Sequence, residues 1–374
     1  MEETTPDKLF YQIALTQING VGDVLARNLL QEFGDAETIF KSGRKALLSI
    51  RNFSTKLVDE ILAPEVMRRA EKEMLFVERN NIQTYFINDN EYPQRLRECH
   101  DAPVLLYFKG KTDFNAPRVI SIVGTRNPSN YGNQFCDTFL QELAKTHPDT
   151  LIVSGLAYGI DISAHRSALK HGLPTIGVLA HGLDRIYPSA HKQTATEMIG
   201  QGGLLTEFRS ETEPDRHNFV RRNRIVAGMA DTVIVVESAE KGGSLITAEL
   251  ANSYCRDVFA LPGRVSDAKS SGCNKLIAHH KADLFLSTDY FLKQMGWDTE
   301  TEKSRKQPIQ TNLFSDLSDE EQTIVNTLTE YKNLHVDRLS HEAGIPAYQL
   351  FSLLLEMEMK GLIKNLPGNM YTIA

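Results

Sequence analysis

The chain has 374 residues, 41% of them hydrophobic and 24% charged, with a formal net charge of -7. That length exceeds one typical domain, and the composition is that of an ordinary folded protein rather than a disordered or membrane-embedded one. The acidic total excludes nucleic-acid binding through bulk charge, so any anion site must be a local patch.

The charge is uneven. Residues 1–90 carry 11 Lys+Arg against 14 Asp+Glu, and residues 312–374 carry 4 against 9, which leaves 26 against 25 for the middle. The opening "MEETTPDKLFYQ" is acidic and polar and argues against a signal peptide. Cys99, Cys136, Cys255 and Cys273 are far apart and form no CxxC pair. They read as reduced thiols, and the expected location is cytoplasmic, with no membrane partner.

In chain order, residues 8–62 have helical spacing, interrupted by Asn19-Gly20-Val21-Gly22 and resumed at Val24, Leu25, Leu29 and Leu30. This is a helix-hairpin-helix pattern, and 1–75 is expected to form a helical, SAM-like domain. Amides freed by its glycines suit one phosphate, supported by Arg27; Asp23, Glu32 and Asp35 around the hairpin suit a protein contact instead. From Arg118 short apolar runs alternate with helical segments: "RVISIVG", "TLIVSG", "PTIGVLA", "GLLTEF", "DTVIVVES" and "RDVFALPG". Strands apolar throughout are buried on both faces, so 76–297 is expected to be an α/β domain. Its predicted fold is a Rossmann-like, doubly wound, mostly parallel sheet, with an extra strand or two from "QTYFINDNEYPQRLRECHDAPVLLYFKG". Residues 298–315 have few apolar positions and read as a linker. Ser318 and Glu321 form a capping box, and three helices with a Pro367-Gly368 hairpin predict a winged helix over 316–374.

Ligands of open parallel sheets sit beyond the carboxyl ends of the strands. There the chain places Gly124-Thr125-Arg126, then Ser154-Gly155-Leu156-Ala157-Tyr158-Gly159, then Lys241-Gly242-Gly243-Ser244 at a helix start. Glycines admit close approach, helix-start amides attract phosphate, and Arg126 adds a bidentate donor. The rival reading is that these are tight-turn glycines. Asp161 reads as a cap for loop amides rather than a general base. No GxxxxGK[ST], GxSxG or His/Cys cluster is present, so neither ATP, metal nor another cofactor is expected. "HNFVRRNRIVAG" packs Arg221, Arg222 and Arg224 within four positions, beside Phe219. At about 100° per residue these arginines do not share one face. The alternative is a solvated helix face; phosphate pairing plus base stacking on Phe219 is the pattern of single-strand binding.

Together, "IVGTRNPS", "SGLAYGIDISAH", "YPSAH", "FVRRNRIVAGMAD", "GGSLITAELA", "VFALPG" and "CNKLI" resemble the DprA/Smf family, the DNA-processing protein A of bacterial transformation. The motifs run in order over about 118–280, and the two end domains are similar to those of its longer members. The resemblance implies a protein that binds and protects single-stranded DNA and helps load the RecA recombinase, without catalysis. It assigns phosphate binding to Gly124, Thr125 and Arg126, and the family's Phe-Pro-x-Arg-Asn-Arg element to 219–224, where Val220 replaces proline. Its Ser-Gly-Ser helix start falls on Gly242, Gly243 and Ser244. Family dimers form through the segment near 273–286, which points to Leu276 and Ile277 as contacts. Two rivals remain: a nucleotide phosphoribohydrolase of the lysine-decarboxylase-like fold, with Glu249 as its carboxylate, or a recombinase scaffold that does not bind DNA. The second helix of the winged helix-turn-helix, "PAYQLFSLLLEMEMK", has only Lys360 as a base, so that domain is expected to meet protein rather than duplex DNA.

Overall fold

The computed structural model describes residues 6–50, 53–297, 317–331, 333–366 and 369–373. The expected linker over 298–315 and the turn at Pro367-Gly368 lie outside these residues. Two compact units divide near Gly296.

The first unit opens with six helices, α1 (Pro6–Thr16), α2 (Asp23–Phe33), α3 (Ala36–Lys41), α4 (Arg44–Leu48), α5 (Thr55–Ile61) and α6 (Pro64–Arg79). Gly20, with φ of +82°, reverses the chain between α1 and α2 at a backbone angle that side chains disfavour. Asp35 caps α3 through the Thr38 amide, at 2.7 Å. The apolar stripe of these helices does not form a core of its own. Ile13, Leu29, Ile39, Val58 and Val66 join one cluster with Leu105 and Tyr107 of the adjoining sheet.

That sheet has nine strands. Two precede the motif region, β1 (Gln83–Phe86) and β2 (Leu105–Gly110), with α7 (Gln94–Arg97) between them. Then β3 (Val119–Val123), α8 (Asn130–Thr146), β4 (Leu151–Ser154), α9 (Ile160–Lys170), β5 (Thr175–Val178), α10 (Lys192–Gln201) and β6 (Gly202–Thr206) wind in one direction. The chain returns through α11 (Arg216–Gly228) to β7 (Thr232–Val235), α12 (Gly243–Ser253), β8 (Asp257–Ala260), α13 (Ser271–Ala278), β9 (Asp283–Leu284) and α14 (Thr288–Gln294). The order is β1-β2-β6-β5-β4-β3-β7-β8-β9, parallel from β6 to β9, with β1 and β2 antiparallel at one edge. The doubly wound expectation is met, and the extra strands are β1 and β2. The apolar strands feed two layers, as their period of two requires. Val119, Val123, Val233, Val235 and Val258 join Ile225, Val226 and Ala248 of α11 and α12. Phe259 turns the other way, its ring 5.0 Å from Phe291 of α14, which in turn lies 5.5 Å from Phe139 of α8.

The second unit contains α15 (Asp319–Tyr331), β10 (Asn333–His335), α16 (Val336–Ala343), α17 (Ala347–Met359), β11 (Ile363–Leu366) and β12 (Met370–Ile373). The capping box forms in both directions: the Ser318 amide donates to Glu321 at 2.9 Å, and the Glu321 amide donates to Ser318 Oγ at 3.2 Å. Three helices and a three-stranded sheet, β10-β12-β11, make the expected winged helix around its own core of Ile324, Leu328, Leu339, Leu350 and Leu354. Strand β10 was not anticipated.

Candidate nucleic-acid interface

The winding reverses between β3 and β7, so the crevice of the sheet opens where their carboxyl ends diverge. The chain fills it with its own carboxylate. The Thr125 amide donates to the Glu237 carbonyl at 2.6 Å, and the Glu237 carboxylate accepts from the Ser129 amide at 2.8 Å and Ser129 Oγ at 2.5 Å. The buried Glu237 carboxylate thus takes the amide and hydroxyl of Ser129, the N-cap of α8, and Ser129 Oγ in turn accepts from the Gly132 amide at 3.4 Å. Gly124 is confined beneath this bridge: a Cβ there would come 2.6 Å from Ile160. The loop leaves Arg126 and Asn127 exposed, and Arg126 is its one cationic side chain.

The second glycine loop is also satisfied internally. Ser154 is buried and its hydroxyl donates to the Ile122 carbonyl at 2.6 Å. Asp161 is buried and accepts from the Ala157 amide at 3.4 Å, so it caps the loop as expected. Burial pushes its carboxyl up, while Arg222 and the loop amides pull it down. Gly155 is buried, and a Cβ on it would lie 2.6 Å from the Arg222 guanidinium. Gly159, at φ +84°, lets the loop press on Thr125 and Arg126, where a Cβ would sit 2.1 Å from the Thr125 carbonyl oxygen. The expectation that Ser154 and Gly155 hold phosphate is therefore corrected, since both are buried, whereas Ala157 and Gly159 remain partly exposed beside Asp161 and the Arg126 loop.

The arginine knot divides by residue. Arg222 is 4% exposed and donates to the carbonyls of Gly155, at 2.5 Å, and Val178. Burial lowers its pKa to about 10 against the pull of Asp161. Arg224 is buried between Glu207, at 2.5 Å, and Asp23, at 3.0 Å, and also donates to the Asp101 carbonyl. Arg221 is 49% exposed, yet pairs with the same carboxylates at 2.6 and 2.9 Å. Burial pushes the Glu207 carboxyl above its usual range while Arg224 and Arg221 pull it down. Phosphate binding by Arg222 and Arg224 is thus corrected: α11 turns them inward, where a buried charge persists only if paired. Arg221 reaches solvent but is already neutralised.

Phe219 lies half-buried at the start of α11, with the guanidinium carbons of Arg126 and Arg222 over its ring at 5.4 and 5.7 Å from the centroid. The ring therefore steers Arg126 by a cation–π contact. Tyr187 joins it at 6.0 Å and is 46% exposed, and Tyr158 is exposed on the second loop. Neither tyrosine was singled out from the sequence as a stacking ring; aromatics inside glycine- and proline-bearing loops at strand ends were the available signal. On the third loop Lys241 and Gly243 are exposed. Gly242 is bonded through its amide to Ala239, and Ser244 is buried with its hydroxyl on Ser238 at 3.0 Å. The structure thus brings Arg126, Phe219, Tyr187 and Tyr158 to one sheet edge, with Lys241 on the neighbouring β7 loop.

Other expectations fall elsewhere. Arg27 donates to the carbonyls of Cys99 and His100 at 2.8 and 3.0 Å, and Asp23 belongs to the arginine cluster, so both side chains are engaged in packing within this chain. Leu276 is buried in the core of its own chain and is corrected as a dimer contact, while Ile277 is only partly covered. Glu249 is exposed, 3.4 Å from Lys281, which precedes β9 at the opposite edge of the sheet from the loops. No group of three His, Cys, Asp or Glu that could hold a metal occurs among the described residues. No helix among them is long and apolar enough to cross a membrane.

Residues 83–296 match the family model of DNA recombination-mediator protein A, and residues 311–369 match that of the DprA winged helix domain. Protein Smf of Synechocystis sp. is 32% identical over 394 residues, spanning 96% of this chain and 98% of that protein. DNA processing protein DprA of Bacillus subtilis is 41% identical over 211 residues, spanning 56% of this chain and 70% of that protein. Among solved structures, DprA of Streptococcus pneumoniae superposes with a TM-score of 0.65 at 33% identity, covering 76% of this chain and 97% of that one. DprA of Helicobacter pylori, whose structure describes a single-stranded-DNA-binding mode, gives a TM-score of 0.52 at 32% identity, covering 57% and 95%.

Proposed function

This chain belongs to the DNA recombination-mediator protein A family, DprA/Smf, and on that premise we propose that it binds single-stranded DNA at the Arg126 edge and delivers it to the RecA recombinase. The observation that carries the reading is Arg126 itself. It is exposed, it makes no ion pair among the described residues, and it is aimed by Phe219 beside the exposed ring of Tyr187. A cation for the backbone next to rings for unpaired bases is the chemistry of sequence-tolerant single-strand binding. Gly124, Thr125 and Gly159 shape the loop that presents Arg126. Lys241, Gly243 and the helix start at Gly242 and Ser244 extend the phosphate track, with Phe219, Tyr187 and Tyr158 as the stacking surface. The protein acts as a cytoplasmic homodimer with Ile277 at the contact, without catalysis or cofactor.

The phosphoribohydrolase reading is disfavoured by Glu237, which occupies the switch-point crevice, and by Glu249, which lies at the far edge. A titration of labelled oligo-dT and of matched duplex, with wild type and Arg126→Ala, tests the proposal. Single strands should bind more tightly, with a steep loss of affinity as salt rises. Equal affinity for duplex, or release of free base from AMP, would count against it.

A further inference from the structure

Helix α17 carries two apolar stripes. Leu350, Leu354 and Met357 are buried in the winged-helix core. About 100° around the helix lie Phe351, Leu355 and Met359, which are 50%, 62% and 84% exposed. Their spacing of four residues makes them successive neighbours on one line, about 12 Å long by the helical rise, rather than scattered surface apolar groups. A helix whose job was phosphate contact would carry lysine or arginine on this line.

The surroundings of the stripe are acidic. Glu356 and Glu358 flank it, and Glu320 lies at the other end of the helix, where it accepts from Gln349 at 2.8 Å. Lys360, the base of this helix, is already shared between Glu321 at 2.8 Å and Glu356 at 3.0 Å. The whole 312–374 segment holds nine acids against four bases. A second copy of this surface would bring like charges together, and duplex DNA would meet the same repulsion. A surface with an apolar centre and an anionic rim is complementary to a helix with an apolar stripe and cationic flanks.

We propose that the exposed face of α17 docks a basic amphipathic helix of a protein partner, with Phe351, Leu355 and Met359 as the apolar anchors and Glu356 and Glu358 selecting for charge. The inference does not depend on the DNA-binding reading, since none of these residues belongs to the Arg126 edge.

The test uses the full chain and two synthetic helical peptides, one with a leucine stripe flanked by lysines, the other with glutamates replacing every lysine. Wild type should bind the lysine peptide at least about tenfold more tightly than the glutamate peptide. L355S together with M359S should remove about tenfold or more of that affinity, while oligo-dT binding and the unfolding midpoint stay unchanged. E356K together with E358K should shift the preference toward the glutamate peptide. Equal binding of both peptides, or no loss in the L355S/M359S variant, overturns the proposal. So does self-association that disappears with L355S/M359S, because it would assign the face to a second copy. Competition by duplex DNA for the lysine-peptide site overturns it as well.

Discussion

Arg126 and Arg222 approach the same phenyl ring from opposite circumstances, one in solvent and one in the core. Arg126→Ala should weaken oligo-dT binding and flatten the salt slope by about 0.7, the share of one phosphate contact on a single strand. Arg222→Ala should instead destabilise the first unit by about 3–5 kcal/mol, because the Gly155 and Val178 carbonyls lose their donor and Asp161 its counter-charge. Urea unfolding and oligo-dT titration of both variants separate the roles; a flatter salt slope with undiminished stability in Arg222→Ala would refute this division. His165 supplies a pH effect. It is fully buried, with Nδ1 2.7 Å from Thr175 Oγ1, and burial lowers its pKa to about 3. Between pH 6.5 and about 3 the unfolded chain binds a proton there that the folded chain refuses, so stability falls with falling pH. His165→Gln should reduce the loss between pH 7 and 5 by about 2 kcal/mol relative to wild type, read from unfolding midpoints.

At the scale of elements, α2 controls what α11 can offer. Asp23 in the first turn of α2 accepts from the Val104 amide at 3.1 Å and also holds Arg221 and Arg224. The helical segment thereby places an intramolecular competitor where a phosphate could pair with Arg221. Asp23→Asn keeps an acceptor for Val104 but removes the charge, so Arg221 should gain attraction for DNA. The expected result is tighter oligo-dT binding at low salt and a slope steeper by up to about 0.7. An unchanged slope would place Arg221 outside the DNA path. The packing of α1 to α6 on the sheet follows from the same seam: Ile13 and Leu29 share a core with Leu105 and Tyr107.

For the whole molecule, the proposed DNA edge and the winged helix belong to different compact units. A chain ending at Ser315 should keep oligo-dT affinity within about threefold, roughly 0.7 kcal/mol. Any defect should appear in delivery of RecA to coated strands. A tenfold loss of DNA affinity in that shortened chain, with its oligomeric state unchanged, would show that the winged helix contributes to the DNA site.

The sequence by itself determined the parallel sheet, the helical opening and the winged helix, because apolar period and turn residues act over short stretches of chain. "RVISIVG" and "DTVIVVES" could only be strands buried on both faces, and Ser318 with Glu321 announced a helix start that formed as read. It also located the edge where Arg126 and Phe219 meet, since loops at strand ends follow from strand order. Which arginines remain available was decided only by tertiary structure. Arg221, Arg222 and Arg224 look alike in sequence, but their partners Asp23, Glu207 and the Gly155 carbonyl come from distant segments. Whether a glycine loop holds a foreign anion or the chain's own carboxylate, as with Asp161 and Glu237, depends likewise on which side chain the fold delivers there. Charge in a sequence is a local count, whereas its availability is set by burial and pairing across the folded chain.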